Sequence, residues 1–135
     1  MKKVLVGGCF DLLHFGHFTF LKKAAAAGDK LIIALEPDEF IKKKKKRKPI
    51  HNQQQRAEIL KSLRFVDEVI LLPFFKKDDD YFQLIEKIRP DIVAVTAGDP
   101  HIKNKIEQAK KIGATVKVVT PLLKGYSTNE IIFSD

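Results

Sequence analysis

Val4-Leu5-Val6-Gly7-Gly8-Cys9-Phe10-Asp11-Leu12-Leu13-His14-Phe15-Gly16-His17 reads as a β-strand, a glycine turn and the start of a helix. Val4-Leu5-Val6 supplies the strand. Gly7 and Gly8 let the chain turn sharply and let a ligand come close to the backbone. The helix begins near Phe15 or Gly16, carries Phe18, Leu21, Ala24 and Ala25 at helical spacing, and ends at Gly28. Its first turn leaves free N–H groups and a positive dipole end facing the glycine turn. His14 and His17 stand three residues apart where the loop enters the helix, with Gly16 leaving room against the backbone. Two imidazoles, a helix start and a glycine turn together describe a cradle for a polyphosphate.

The rest of the chain continues the alternation. Leu31-Ile32-Ile33-Ala34-Leu35 is apolar throughout, as expected of a strand covered on both faces, and Pro37 stops it. The polar, cationic stretch from Asp38 to Ile50 reads as a mobile loop. Asn52 caps a helix through Ala57, Leu60 and Leu63. Val69 to Leu72 form a third strand. Tyr81, Leu84, Ile85 and Ile88 mark a helix that Pro90 ends. Ile92 to Val95 form a fourth strand, Ile102, Ile106 and Ala109 mark a helix closed by Gly113, and Val116 to Val119 form a fifth strand. Ser127-Thr128-Asn129-Glu130 is a capping box opening a last short helix. Strands alternating with helices imply an α/β fold, a doubly wound five-stranded parallel sheet with helices on both faces. Such sheets bind ligands beyond the carboxyl ends of their strands, where strand order reverses, and the first strand usually flanks that point.

Composition sets the outer limits. The 135 residues suit one domain, 1–135, and 44% hydrophobic with 31% charged content allows a true core. The apolar runs, such as Val69 to Leu72, are too short to span a bilayer. Met1-Lys2-Lys3-Val4-Leu5-Val6 reads as a strand and not as a leader, because Gly7, Gly8 and Asp11 interrupt it. Cys9 is the one cysteine, so no internal disulfide forms and a reducing cytoplasm fits. With no activating triad in view, Cys9 reads as a small residue packed beside the turn. The net charge of +8 calls for an anionic partner, and every residue from Lys42 to Lys48 is a cation.

Competing chemistries are weaker. His14 and His17 make a poor metal pair, since metal-binding histidines on a regular helix more often lie four apart, and no Cys or Glu close in sequence completes a site. No metal ligand is therefore assigned. Neither the Gly-x-Gly-x-x-Gly nor the P-loop pattern is present. A nucleic-acid-binding module without catalysis explains the lysine run but not the histidines or the glycine turn, and no aromatic residue interrupts Lys42 to Lys48.

Gly8-Cys9-Phe10-Asp11-Leu12-Leu13-His14-Phe15-Gly16-His17 resembles the His-x-Gly-His motif of the cytidylyltransferase-like nucleotidyltransferases. That family includes glycerol-3-phosphate and ethanolamine-phosphate cytidylyltransferases and the adenylyltransferases that activate heptose phosphate. The resemblance extends through Asp38-Glu39-Phe40, Gln55-Arg56-Ala57-Glu58-Ile59-Leu60, Leu63-Arg64-Phe65-Val66-Asp67-Glu68-Val69 and Gly125-Tyr126-Ser127-Thr128. It implies the doubly wound fold, usually as a homodimer. It also implies attack by an acceptor phosphate oxygen on the α-phosphorus of a nucleoside triphosphate, with Mg2+ and loss of pyrophosphate.

By the same resemblance, His14 and His17 contact the phosphates, and Gly8, Cys9 and Phe10 line the nucleotide pocket. Gly98-Asp99 and Ser127-Thr128 add further nucleotide contacts. Lys44 and Lys46 belong to a catalytic lid, with Lys44 also reaching the acceptor. Asp11 either orients the acceptor or ties down the turn. Arg56 and Arg64 are surface residues or hold a structural or phosphate role, and Pro100-His101 and Tyr126 are candidates for the acceptor pocket. The cytidylyltransferases read Arg-Thr-x-Gly-Ile-Ser-Thr where this chain has Leu122-Leu123-Lys124-Gly125-Tyr126-Ser127-Thr128. The lost arginine, the Gly-Cys-Phe-Asp opening and Gly98-Asp99 incline to ATP and a heptose-phosphate adenylyltransferase. The lid lysines and Asp38-Glu39-Phe40 incline to CTP and a glycerol-3-phosphate cytidylyltransferase. The expected acceptor is a phosphorylated sugar or polyol. A family member that binds nucleotide without turning it over is a third reading.

Overall fold

The computed structural model describes residues 1–121. The Gly125–Thr128 motif, Tyr126 and the expected last helix lie outside the described residues. The elements run β1 (Lys3–Gly8), α1 (Phe15–Ala26), β2 (Lys30–Leu35), α2 (Asp38–Lys44), α3 (Gln53–Lys61), β3 (Glu68–Leu71), α4 (Asp78–Ile88), β4 (Ile92–Thr96), α5 (Ile102–Lys111) and β5 (Thr115–Thr120). All pairings are parallel, in the order β3-β2-β1-β4-β5. This is the doubly wound α/β sheet, with β1 at its centre.

Alternation along the strands sorts the core into two layers. Val4, Val6, Leu31, Ile33 and Leu35 face Leu21 and Ala24 of α1 and Ala57 and Leu60 of α3. Leu5, Ile32 and Ala34 face Ile85 of α4, with Tyr81, Leu84 and Ile88 around it. Both faces of β2 are covered, which is why it reads as one apolar run.

The sheet opens at its centre. β1 pairs with β2 along its whole length, to Gly8 opposite Leu35, but its register with β4 runs through Val4–Ile92 and Leu5–Val93 only. Beyond Leu5 the two strands are no longer paired, at the point where strand order reverses. Gly7, on the central strand, is consequently exposed.

Two expectations change. The stretch after Pro37 is not all loop: Asp38 to Lys44 form α2. Asp38 and Glu39 sit in its first turn and Lys42, Lys43 and Lys44 in its last, which suits the helix dipole, and Glu39 pairs with Lys43 at 2.7 Å. Ile41, fully buried, ties the helix to the core. One apolar anchor among so many charges leaves little periodicity to read. Gly28 follows α1 but has a different necessity. The helix ends at Ala26 with Ala27 as its cap, and a Cβ on Gly28 would come within 2.6 Å of Val4 Cγ2 and 2.9 Å of the Lys2 carbonyl. Gly28 is there so that the chain can pass tightly under β1. Asn52 does cap α3, in a reciprocal box with Gln55.

Candidate active site

The turn after β1 is built under strain. Phe10 (φ 47°) and Leu12 (φ 61°) both adopt the left-handed conformation that L-residues avoid, and Asp11 lies between them. That geometry drives the Asp11 side chain inward, leaving it only 1% exposed. Its Oδ2 accepts hydrogen bonds from Arg47 Nη1 and the Ile50 amide, each at 2.7 Å, and Oδ1 accepts from the His51 amide at 2.9 Å. Burial alone would raise its pKa. The bonds from Arg47, His51 and Ile50 outweigh that and hold the carboxyl below its ordinary value. Its oxygens hold the basic segment against the turn, which is the second of the two roles the sequence leaves open for Asp11.

His14 is the N-cap of α1. Its Nδ1 accepts from the His17 amide at 3.3 Å, and His17 Nδ1 accepts from the His14 amide at 3.4 Å. The two rings stack with centroids 3.7 Å apart, and Phe10 packs edge-on against His17 at 5.3 Å. With both Nδ1 atoms accepting, the neutral rings carry their protons on Nε2. Burial, seconded by His14 and Lys45, lowers the His17 pKa to about 3, and burial lowers that of His14. The pair therefore offers N–H donors and not cations at neutral pH.

Arg56 is the residue whose importance the sequence understates. It is 1% exposed and makes four hydrogen bonds: Nε to the His51 carbonyl, Nη1 to the carbonyls of Cys9 and Glu36, and Nη2 to Asp38 Oδ1. One guanidinium thus fixes the glycine turn, the end of β2, the start of α2 and the loop before α3. Its signal is the Gln55-Arg56-Ala57-Glu58 segment, which places an arginine on the face of α3 that carries Ala57 and Leu60. Gln53, to which no sequence pattern points, caps the ends of β2 and β3 by donating to the Leu35 and Leu72 carbonyls at 3.0 and 2.9 Å.

Lys44 and Lys46 are both exposed, and Lys46 adopts a left-handed φ of 58° as the chain leaves α2. The lysine charge felt at both Cys9 and His17 is that of Lys45, between them. Lys45 is itself exposed, whereas Arg47 is largely shielded and pairs with Asp11 at 2.7 Å. Cys9 is partly buried, and burial pushes its thiol up to about 11, which keeps it in the less reactive thiol form at neutral pH. Across the opening, Gly98 (φ 81°) has open space around its Cα. Asp99 accepts from the His101 amide at 2.8 Å and from Lys105 Nζ at 2.5 Å. These bonds outweigh burial and hold its carboxyl low. Arg64, unlike Arg56, has no side-chain bond to the turn. Among the described residues, no group of three His, Cys, Asp or Glu side chains is arranged to hold a metal. No helix among them is long and apolar enough to cross a membrane.

A glycine turn and a histidine-capped helix at the reversal point of a 3-2-1-4-5 parallel sheet define a nucleotidyltransferase of the Rossmann-like class. The chain belongs to the cytidylyltransferase-like family, whose model matches residues 5–132. It is 39% identical over 118 residues to the FAD synthase of Pyrococcus abyssi, covering 87% of this chain and 78% of that protein. It is 35% identical over 132 residues to the bifunctional protein HldE of Koribacter versatilis, covering 96% of this chain but 26% of that larger protein. Among solved structures, the lipopolysaccharide core biosynthesis protein of Thermoplasma volcanium superposes with a TM-score of 0.73 at 26% identity, covering 92% of this chain and 98% of that one.

Proposed function

We propose that this enzyme transfers an adenylyl group from ATP to a small phosphorylated acceptor. An acceptor phosphate oxygen attacks the α-phosphorus in line, the bond to the β-phosphate bridging oxygen breaks, and pyrophosphate leaves. The observation that carries the proposal is the stacked His14–His17 pair, fixed on its Nδ1 side and presenting Nε2–H donors at the helix start. Donors held in place beside a helix N-terminus stabilise charge building on phosphoryl oxygens without reorganising. Gly8, Cys9 and Phe10 form the turn beneath the phosphates. Gly98 and Asp99 border the nucleotide from the β4 side, and Ser127 and Thr128 complete the nucleotide site. Lys44 and Lys46 act in the lid, joined by Lys45. Mg2+ would accompany the triphosphate and offset its charge, without protein carboxylates gathered to hold it among the described residues. The donor groups at the turn fit that division, because the Asp11 oxygens are already committed to protein donors.

ATP is favoured over CTP because the chain is similar to FAD synthases and to HldE, a resemblance spanning most of this chain. A phosphorylated sugar, as for a heptose-phosphate adenylyltransferase, is the first acceptor to test, with flavin mononucleotide and glycerol 3-phosphate beside it. The test crosses ATP, CTP, GTP and UTP with these acceptors and reads pyrophosphate release. ATP with one acceptor should give turnover that His14→Ala or His17→Ala lowers by about 100-fold or more. Full activity in both variants would refute the site, and turnover with CTP alone would refute the choice of base.

A further inference from the structure

Glu36 follows directly on β2, and its side chain lies on the α4 face of the sheet, two residues beyond Ala34 in the same layer. Only 8% of the residue is exposed. Tyr81 Oη donates to Glu36 Oε2 at 2.7 Å, and Phe75 packs edge-on against Tyr81 at 4.9 Å. Glu36 Oε1 is buried and has no hydrogen-bond partner among the described residues. Leaving a buried carboxylate oxygen without a donor is costly, so natural proteins rarely leave one without a purpose. Beside it lies the open end of the central strand. Gly7 is exposed there, and a Cβ added to it would meet only the Ala34 carbonyl, at 3.8 Å. The Glu36 amide donates to the Gly8 carbonyl at 3.0 Å, so the Glu36 backbone is tied to the same turn that carries Cys9.

This places Glu36 on the β2 side of the glycine turn, with the charge of Lys105, the partner of Asp99, reaching it from the β4 side. We propose that Glu36, held by Tyr81, is a specificity-determining residue that accepts a hydrogen bond from a hydroxyl or amino group of the phosphorylated acceptor lying over Gly7. The inference rests on the nucleotidyl-transfer reading, since it needs an acceptor in that space. Burial raises the Glu36 pKa against the opposing influence of Tyr81, Arg56 and Lys105, and a donor from the ligand would favour the charged form.

The test uses matched acceptors in the pyrophosphate assay: glycerol 3-phosphate against propyl phosphate, and ethanolamine phosphate against ethyl phosphate. Wild type should favour the donor-bearing member of at least one pair by about 10- to 100-fold in kcat/KM. Glu36→Met should abolish that preference and raise the acceptor KM, with the KM for triphosphate within about twofold. Glu36→Gln, which keeps an acceptor oxygen and the partner of Tyr81, should retain part of it. The pair that responds separates a hydroxyl from an amino donor. If wild type turns over but Glu36→Met keeps the same preference, the inference is overturned while nucleotidyl transfer stands. It is overturned equally if Glu36→Met lowers Tm without changing selectivity, for then Glu36 serves only as the anchor of Tyr81. Turnover with none of the acceptors, including the sugar phosphates and flavin mononucleotide, would overturn both readings.

Discussion

Replacing Arg56 with methionine should cost about 3–5 kcal/mol of folding stability, the usual penalty for breaking a buried charged cluster by removing one partner. The figure follows from the four acceptors. Three are backbone carbonyls, of His51, Cys9 and Glu36, at 3.0, 2.8 and 2.8 Å. A carbonyl left without its donor away from water costs about 1–3 kcal/mol. The fourth, Asp38, has a side chain 35% exposed, so water replaces much of what it loses. Methionine fills most of the vacated volume, which keeps the cavity contribution small. The sum is a large fraction of the ~5–15 kcal/mol that separates a folded domain from its unfolded chain. Urea unfolding followed by circular dichroism measures it, with wild type, Arg56→Met and Arg56→Lys run together. The lysine variant should recover little, because an ammonium donates from one point and cannot span acceptors on four segments. The turnover of folded Arg56→Met should also fall, since the Cys9 carbonyl loses its fixed partner. A loss below about 1 kcal/mol in Arg56→Met would refute the argument, because buried, unsatisfied carbonyls do not allow so small a cost.

Asp11→Asn should free the segment it grips, so limited trypsin digestion should cleave within residues 42–48 much faster than in wild type; an unchanged rate would mean that Arg47, Ile50 and His51 are held by other contacts. His17 is neutral in the fold down to a pKa of about 3, while in the unfolded chain it takes up a proton near 6.5. Its contribution is therefore complete above pH 6.5 and is lost as pH falls from there toward 3, by several kcal/mol at most, on the order of 1.4 per pKa unit; chemical unfolding at a series of pH values should give a shallower slope for His17→Gln. Cys9, with its thiol pushed up to about 11, should react slowly with iodoacetamide at pH 7.5 and faster as pH rises, and Cys9→Ser should keep turnover within a fewfold. Single alanine replacements of Lys44, Lys45 and Lys46 should each raise the triphosphate KM, with Lys45→Ala the largest at about tenfold, worth ~1.4 kcal/mol; parity of Lys45→Ala with wild type would remove it from the site.

What can be read in the sequence follows the range of the physics involved. Strands and most helices are local patterns, and Val4–Val6, Leu31–Leu35 and the spacing of Tyr81, Leu84, Ile85 and Ile88 state them openly. The His14–His17 cap is visible for the same reason, because a capping box closes within four residues. α2 is hidden because its stability comes from a single buried residue, Ile41, and from charge placement. The long-range partners are hidden most deeply. Nothing in the spacing of Asp11 and Arg47, Arg56 and Cys9, or Glu36 and Tyr81 tells that they meet, since only the crossovers of the sheet bring them together. A carboxylate placed immediately after a wholly apolar strand, as Glu36 is, is the one local sign of a polar group held at the sheet's functional edge.

Those long-range partners explain how the turn tolerates its own geometry. Phe10, Leu12 and Lys46 all hold left-handed backbone conformations without being glycine, each costing about 1–2 kcal/mol. Two of them flank Asp11, and the third directly precedes Arg47, which is Asp11's ion-pair partner. Three of the four left-handed non-glycine residues among those described thus cluster at the two ends of one buried ion pair, the fourth being Arg89 at the end of α4. The bonds from Arg47, Ile50 and His51 to Asp11, and from Arg56 to Cys9 and Glu36, offset the strain and are satisfied only when the turn and the basic segment are in register. A flexible glycine at position 10 or 12 would relieve the strain but would also let the Asp11 carboxylate swing away from its three donors. Non-glycine residues at these positions are therefore consistent with a turn fixed before the triphosphate arrives. The ordering cost is then met by folding and not taken from the binding of substrate.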